Sequence, residues 1–238
     1  MANAAAALIT GGTGALGSVV ARTFLAAGYP VAVTYRGATE WKALAASEPA
    51  AVSGNSLLGI ETDITDEESV RRAVTSASTA FGRLDVLVHV AGGYAGGAPV
   101  ESVDARTVRS MIETNLVSAF WAAKHVIPHA KRRARGRLLF ISSRGALESY
   151  PGAAAYAAAK LGLHALVETL AKELKHEGVT ANAVLPSLID TAANRASMPD
   201  GKFDNWVKPE AVAQLLLFLA SEAAAATSGA LIPIYGRA

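Results

Sequence analysis

"LITGGTGALGSVVARTF" (residues 8–24) joins a short apolar run to a helical pattern through a cluster of glycines. Within it, Gly12-Thr13-Gly14-Ala15-Leu16-Gly17 fits G-x-G-x-x-G in the strand–turn–helix setting that gives this spacing its meaning. Glycines at these places permit a tight turn and let a pyrophosphate come close to the backbone. The helix that follows offers unpaired N–H groups and the positive end of its dipole. The stretch therefore predicts the opening unit of a dinucleotide-binding α/β fold, with Gly11, Thr13, Gly14, Ala15, Leu16 and Gly17 against the cofactor.

Outward from this turn, short apolar runs recur at roughly 5–9, 30–35, 57–61, 84–90, 137–141, 179–185 and 230–234. Helical patterns fill roughly 15–27, 39–47, 66–81, 104–132, 152–177 and 208–221. The apolar runs are continuous rather than alternating, as expected of strands covered on both faces. Regular alternation of strand and helix predicts one Rossmann-type domain over 1–238, a doubly wound seven-stranded parallel sheet with helices on both faces. Thr65-Asp66-Glu67-Glu68 reads as a capping box, and Pro209 suits the first turn of the last long helix. The one long irregular stretch, 187–208, is polar yet carries Met198, Phe203 and Trp206, and is expected to be a substrate lid.

Composition narrows the function. The chain has 238 residues, 51% hydrophobic and 18% charged, enough apolar material for a sizeable core. A net charge of +2 gives no reason to expect nucleic acid, and the basic run Lys131–Arg137 closes a helix where cations suit the dipole. The absence of cysteine rules out disulfides and a thiol nucleophile. The apolar run Ala4–Ile9 leads into the glycine cluster rather than a cleavage site, so it reads as a buried strand, not a signal peptide. Ala211–Ala226 is broken by Gln214 and Glu222 and is too short to cross a bilayer. A cytoplasmic protein without membrane contact and without a metal site is expected. His89 has no partner cluster in sequence and reads as a structural histidine at a strand end.

Two further features point to chemistry. The second strand ends in Tyr35-Arg36, where an acidic residue would bond a ribose 2′-hydroxyl and select NAD(H). An arginine there pairs with a 2′-phosphate as a charged fork, so NADP(H) is favoured over NAD(H). Further on, "YAAAK" (156–160) places Tyr156 and Lys160 on one helix face. A free tyrosine has a pKa of about 10, too high for ready proton exchange near neutrality. A lysine cation one turn away favours the phenolate and is expected to lower it.

Taken in order, these residues resemble the short-chain dehydrogenase/reductase family over essentially the whole chain. The resemblance matches Thr10–Gly17 to the glycine loop, Asp63 in "ETDITD" to the adenine-contacting aspartate and Asn115 in "ETNLVSAF" to the helix asparagine. Ser143 in "FISSRG" stands 13 residues before Tyr156, the usual spacing of the catalytic serine. It implies a catalytic set of Asn115, Ser143, Tyr156 and Lys160. Ser143 would bond the substrate oxygen, Lys160 would also hold the nicotinamide ribose, and Asn115 would support a proton relay through water. Ile64, Ala91, Gly92, Gly93, Pro186, Ser187, Ile189 and Thr191 complete the implied cofactor contacts, with Ile189 and Thr191 of "LPSLIDT" at the carboxamide. The implied function is NAD(P)H-dependent interconversion of a small carbonyl compound and its alcohol by a homodimer or homotetramer.

The chain also departs from the family pattern. Ala15 stands where a glycine is usual, and Gly14 comes one place earlier. His89-Val90-Ala91-Gly92 replaces Asn-Asn-Ala-Gly, and so loses the asparagine that supports the central strand. Ser187 replaces a glycine, and "IPIYGRA" replaces a usual Asp-Gly-Gly ending. "HVAGGYAGG" (89–97), "VLPSLIDT" (184–191) and "NRASMPDGKFDNW" (194–206) resemble dihydropteridine reductase, a divergent member that uses NADH and lacks the serine. Ser143 and the lack of an acid at position 35 separate this chain from it. A dihydropteridine-reductase-like enzyme and a non-catalytic NADP-sensing protein are the alternatives. Tyr94, Leu147, Tyr150, Met198 and Trp206 are the candidate lining of an apolar or aromatic substrate pocket.

Overall fold

The computed structural model describes residues 5–237. Ala4 of the first apolar run and Ala238 of the IPIYGRA ending lie outside them. Seven apolar runs form strands β1 (Ala7–Thr10), β2 (Val31–Tyr35), β3 (Leu57–Glu61), β4 (Val86–His89), β5 (Arg137–Ile141), β6 (Thr180–Pro186) and β7 (Leu231–Ile234). All pair in parallel, in the order β3-β2-β1-β4-β5-β6-β7. The order reverses between β1 and β4, and there the carboxyl ends of the strands open a crevice. Pro233 sits in β7, an edge strand, where a missing N–H is tolerated.

Successive residues of each strand feed opposite layers. Leu8, Leu87, Leu138 and Phe140 face a layer built by α4 (Glu67–Phe81), α6 (Ser118–Ala130) and α7 (Ala154–Glu173). Ile9, Val33, Val88 and Leu139 face a second layer built by α1 (Ala15–Ala26), α2 (Ala38–Ser47) and α9 (Pro209–Ala220). Both faces are therefore dry, which is why the strands read as unbroken apolar runs.

Local differences from the sequence reading have local causes. A short helix, α3 (Pro49–Ser53), follows α2, with Pro49 in its first turn. The cap of α4 is Asp66 rather than Thr65: its carboxylate accepts from the Glu68 and Ser69 amides. Thr65 turns back instead and donates to Asp63. The expected long helix over 104–132 is α5 (Ala105–Ile112) and α6 joined by a π-helical turn at Glu113–Val117. The stretch 187–208, expected to be irregular, is folded. It holds α8 (Ala192–Ser197), a 3-10 turn at Phe203–Asn205, and an Ile189–Val207 bridge at its base.

Candidate active site

The turn after β1 is shaped by contacts only glycine permits. Gly11 has a φ of +65°, and a Cβ on Gly17 would lie 2.1 Å from the Gly11 carbonyl oxygen. α1 thus begins directly on the turn. No side chain caps its N-terminus, so its first amides are available to an anion. Thr34 Oγ1 accepts from the Gly11 amide and ties the turn to β2. Thr13 is half-buried, Gly14 and Ala15 are exposed, and Leu16 is buried. This cradle of backbone fits a pyrophosphate, and Ala15 in place of a glycine leaves it open.

At the end of β2, Tyr35 stacks on Trp41 with ring centroids 5.7 Å apart and planes 4° from parallel. Arg36 is exposed. Across from it, Asp63 accepts from the Thr65 amide at 2.9 Å and the Thr65 hydroxyl at 2.7 Å. Those bonds hold the Asp63 carboxyl below the usual carboxylate range, with a smaller contribution from the Arg36 guanidinium. Ile64 is half-buried beside it. Trp41 carried no sequence signal beyond its place on a helix. Its role follows from Gly59 of β3, which leaves room for the indole.

The β4 end is organised by His89. Ser118 Oγ donates to the Thr114 carbonyl, so it accepts from His89 Nε2, which must carry the proton. His89 Nδ1 then accepts from Thr10 Oγ1, which in turn accepts from the Ala91 amide. Burial, and then the Lys160 charge, push the His89 pKa down to about 3. The structural reading of this histidine holds. It is a neutral strut between β1, β4 and α6 in place of the missing asparagine.

Asn115 lies fully buried in the π turn. Its Oδ1 accepts from the Gly93 amide at 3.1 Å, and its Nδ2 donates to the Gly93 and Met111 carbonyls at 2.9 and 3.1 Å. A Cβ on Gly92 would lie 2.8 Å from Asn115 Oδ1 and 3.4 Å from Lys160 Nζ. Gly92, Gly93, Asn115 and Lys160 therefore meet at one point, 68 positions apart in sequence at the extremes, from Gly92 to Lys160.

Ser143 follows β5, and Tyr156 and Lys160 lie on α7. Tyr156 and Ser143 meet about Gly145, where a Cβ would lie 3.4 Å from Ser143 Oγ and 3.9 Å from Tyr156 Cε1, and Ser143 Oγ accepts from the Gly145 amide at 3.0 Å. Lys160 is buried, and its Nζ donates to the Ile141 carbonyl at 2.8 Å and stands 5.9 Å from the Tyr156 ring centroid. The expected lowering of the Tyr156 pKa is not found. Burial raises it, and the neighbouring Ser143 hydroxyl only partly offsets that rise. Burial also brings the Lys160 pKa down to about 8. Removing water costs the phenolate more than the neighbouring Ser143 hydroxyl returns.

The remaining candidates fall into two groups. Tyr94 and Tyr150 are exposed near Tyr156, and Leu147 is exposed as well. Pro186 is buried at the end of β6, while Ser187 donates from Oγ to the Tyr235 carbonyl at 2.7 Å. Thr191 caps α8 by accepting from the Asn194 amide, and Ile189 bridges to Val207. Met198 is half-buried in the same segment. Trp206, read as pocket lining, is instead buried against Phe203 and over Gly201. Sequence reasoning missed Asp190, which holds both Arg195 and Lys208, and Arg144, which lies over the Tyr235 ring at 5.0 Å. The unusual tyrosine in the final segment was the available signal for the second.

Comparisons with known proteins identify the family and the fold. The family model for short chain dehydrogenase matches residues 5–201. The 3-oxoacyl-[acyl-carrier-protein] reductase MabA of Mycobacterium bovis is 34% identical over 239 residues, covering 96% of this chain and 90% of that protein. Among solved structures, a short-chain type dehydrogenase/reductase from Mycobacterium ulcerans superposes with a TM-score of 0.92 at 28% identity, covering 98% of this chain and 89% of the other. ElxO with NADP bound superposes with a TM-score of 0.90 at 27% identity, covering 98% of each.

Proposed function

This chain is an oxidoreductase that belongs to the short chain dehydrogenase family, and from that premise we propose that it interconverts a carbonyl compound and its alcohol with NADP(H), using Tyr156 as the acid/base. The observation that carries the proposal is the gathering of Ser143 and Tyr156 about Gly145, one helical turn from the buried ammonium of Lys160. When bound, the dinucleotide supplies or accepts the hydride. Ser143 bonds the substrate oxygen and steadies charge developing there. Tyr156 gives its proton to that oxygen in reduction and takes it back in oxidation. Its raised pKa keeps it protonated at neutral pH, as a proton donor requires. Lys160 holds positive charge below about pH 8 and stands beside the proton path. Asn115 fixes Gly93 and the floor of the site. Substitution of Tyr156 by Phe leaves NADPH affinity within about twofold and cuts turnover by about a thousandfold or more. Retained turnover rejects the assignment.

The preference for NADP(H) rests on Arg36, an exposed guanidinium at the end of β2 with no acid at position 35. NADP- and NADPH-bound relatives of the same fold support a nicotinamide dinucleotide. Fluorescence titration is expected to show NADPH binding at least tenfold tighter than NADH, about 1.4 kcal/mol. Arg36→Ala should remove that difference without changing NADH affinity, and equal affinities in the unmodified protein count against the role.

The intact Ser143–Tyr156–Lys160 set separates this reading from a cofactor sensor, which has no use for it. Among the described residues, no helix is long and apolar enough to cross a membrane. The proposal extends to a cytoplasmic homodimer or homotetramer, supported for assembly by the exposed side chains of Phe120 and Leu161 on α6 and α7. Light scattering that gives a monomer mass rejects it.

A further inference from the structure

The glycine-rich loop Gly92–Gly97 departs from the family pattern, and proton transfer does not account for its tyrosine. Tyr94 meets Tyr156 edge to face, with centroids 5.2 Å apart and planes at 81°. Tyr150 stands 6.4 Å from Tyr94 at 38°. Tyr156, Tyr94 and Tyr150 thus form one cluster of rings. Tyr94 and Tyr150 are 54% and 48% exposed, and Leu147, in the turn that Tyr150 packs over, is 54% exposed. Large apolar faces left wet beside a reactive group are material for a ligand to cover.

The wall is held by backbone rather than by mobile side chains. The Gly97 amide donates to the Gly152 carbonyl at 3.0 Å. A Cβ on Gly152, whose φ is +81°, would lie 2.8 Å from Gly97 Cα. One on Gly96 would lie 2.6 Å from the Gly152 carbonyl oxygen. The two loops interlock only because these positions are glycine, so the rings are presented in a fixed arrangement before any substrate arrives. The cation of the adjoining turn, Arg144, is already engaged by Glu148.

We propose that Tyr94 and Tyr150 form a stacking wall that selects planar, uncharged, ring-bearing carbonyl compounds. This deepens the reading above and rests on it. In reduction, the carbonyl carbon takes the hydride from NADPH, the carbonyl π pair moves to oxygen, and that oxygen takes the Tyr156 proton. NADP⁺ and a ring alcohol are the products. The aromatic faces act on binding of the ring, not on proton transfer.

The test compares β-tetralone with 2-decanone, a ring ketone and an open-chain ketone of equal carbon count, using the full chain and NADPH. We expect kcat/KM to favour β-tetralone by about tenfold or more, the scale of one or two good ring contacts. Tyr94→Ala should erase the preference through KM, while Tyr94→Phe, which keeps the ring and loses the hydroxyl, should retain it. Equal use of the two ketones, or a preference that survives Tyr94→Ala, overturns the wall. Calorimetric titration of β-tetralone into the NADPH-saturated protein separates this inference from the catalytic one. Tyr94-dependent binding without turnover keeps the wall and rejects the reductase reading. Absence of both binding and turnover rejects the wall.

Discussion

At His89 a single side chain closes a hydrogen-bond chain that runs from the Ala91 amide to the Thr114 carbonyl. The chain works only while one ring nitrogen accepts. Protonation would place two donors where Thr10 offers its own proton, and would bury an unpaired charge. The linkage has a definite sign. The unfolded histidine titrates near 6.5 and the folded one at about 3, so the unfolded chain binds the extra proton as pH falls between those values. Stability contributed by neutral His89 is complete above about pH 6.5. It is lost as pH falls toward 3, by an amount of up to about 5 kcal/mol. Urea midpoints measured from pH 7 to 4 should therefore decline less steeply for His89→Asn than for the unmodified protein, and parallel declines contradict the argument. The Tyr156–Lys160 pair teaches a different lesson about residues. Their spacing was plain in YAAAK, but the direction of the Tyr156 shift was not. It depends on how much water the packed fold removes from the phenol.

Among the elements, the segment from Ser187 to Lys208 changes most between sequence and structure. It has no period and looked like a loop, yet Asp190 holds Arg195 at 2.5 and 2.8 Å and Lys208 as well. Its carboxyl is held well below the usual carboxylate range by these two cations, so the clasp is complete at neutral pH and weakens only in strong acid. Asp190→Asn should loosen the segment. Trypsin cleavage at Arg195 or Lys202 is expected to quicken by about fivefold or more, with the global unfolding midpoint little changed. An unchanged cleavage rate rejects the clasp. Pairing across 18 positions, as between Asp190 and Lys208, leaves no trace in local composition, which is why the segment was illegible. The π turn at Glu113–Val117 escaped notice for another reason. It adds about one residue to a helix whose apolar pattern runs through it on both sides. The motif around Asn115 was readable, but the turn that seats it was not.

For the whole molecule, the strand order and its two dry faces were legible because burial on both sides writes continuous apolar runs, and parallel pairing needs a helix between each pair. Which loops interlock at the crevice was not legible, since the meeting of Gly97 with Gly152, or of Arg144 with Tyr235, is decided by tertiary packing. The parallel sheet also divides labour between its two rims. The glycine turn, Ala91, Ser143 and Ser187 all follow the carboxyl ends of their strands. The basic turn after α6 precedes β5 and so lies at the other rim, where Arg132, Arg133 and Arg135 are exposed. A peptide handle inserted after Arg133 should leave NADPH affinity and turnover within about twofold. A loss beyond that contradicts the division. Residues 235–237 offer no such freedom, because Tyr235 receives the Ser187 hydroxyl and the Arg237 amide donates to the Asn205 carbonyl. For anyone wishing to tether this catalyst to a support, the choice of anchor is therefore already made by the direction of its strands.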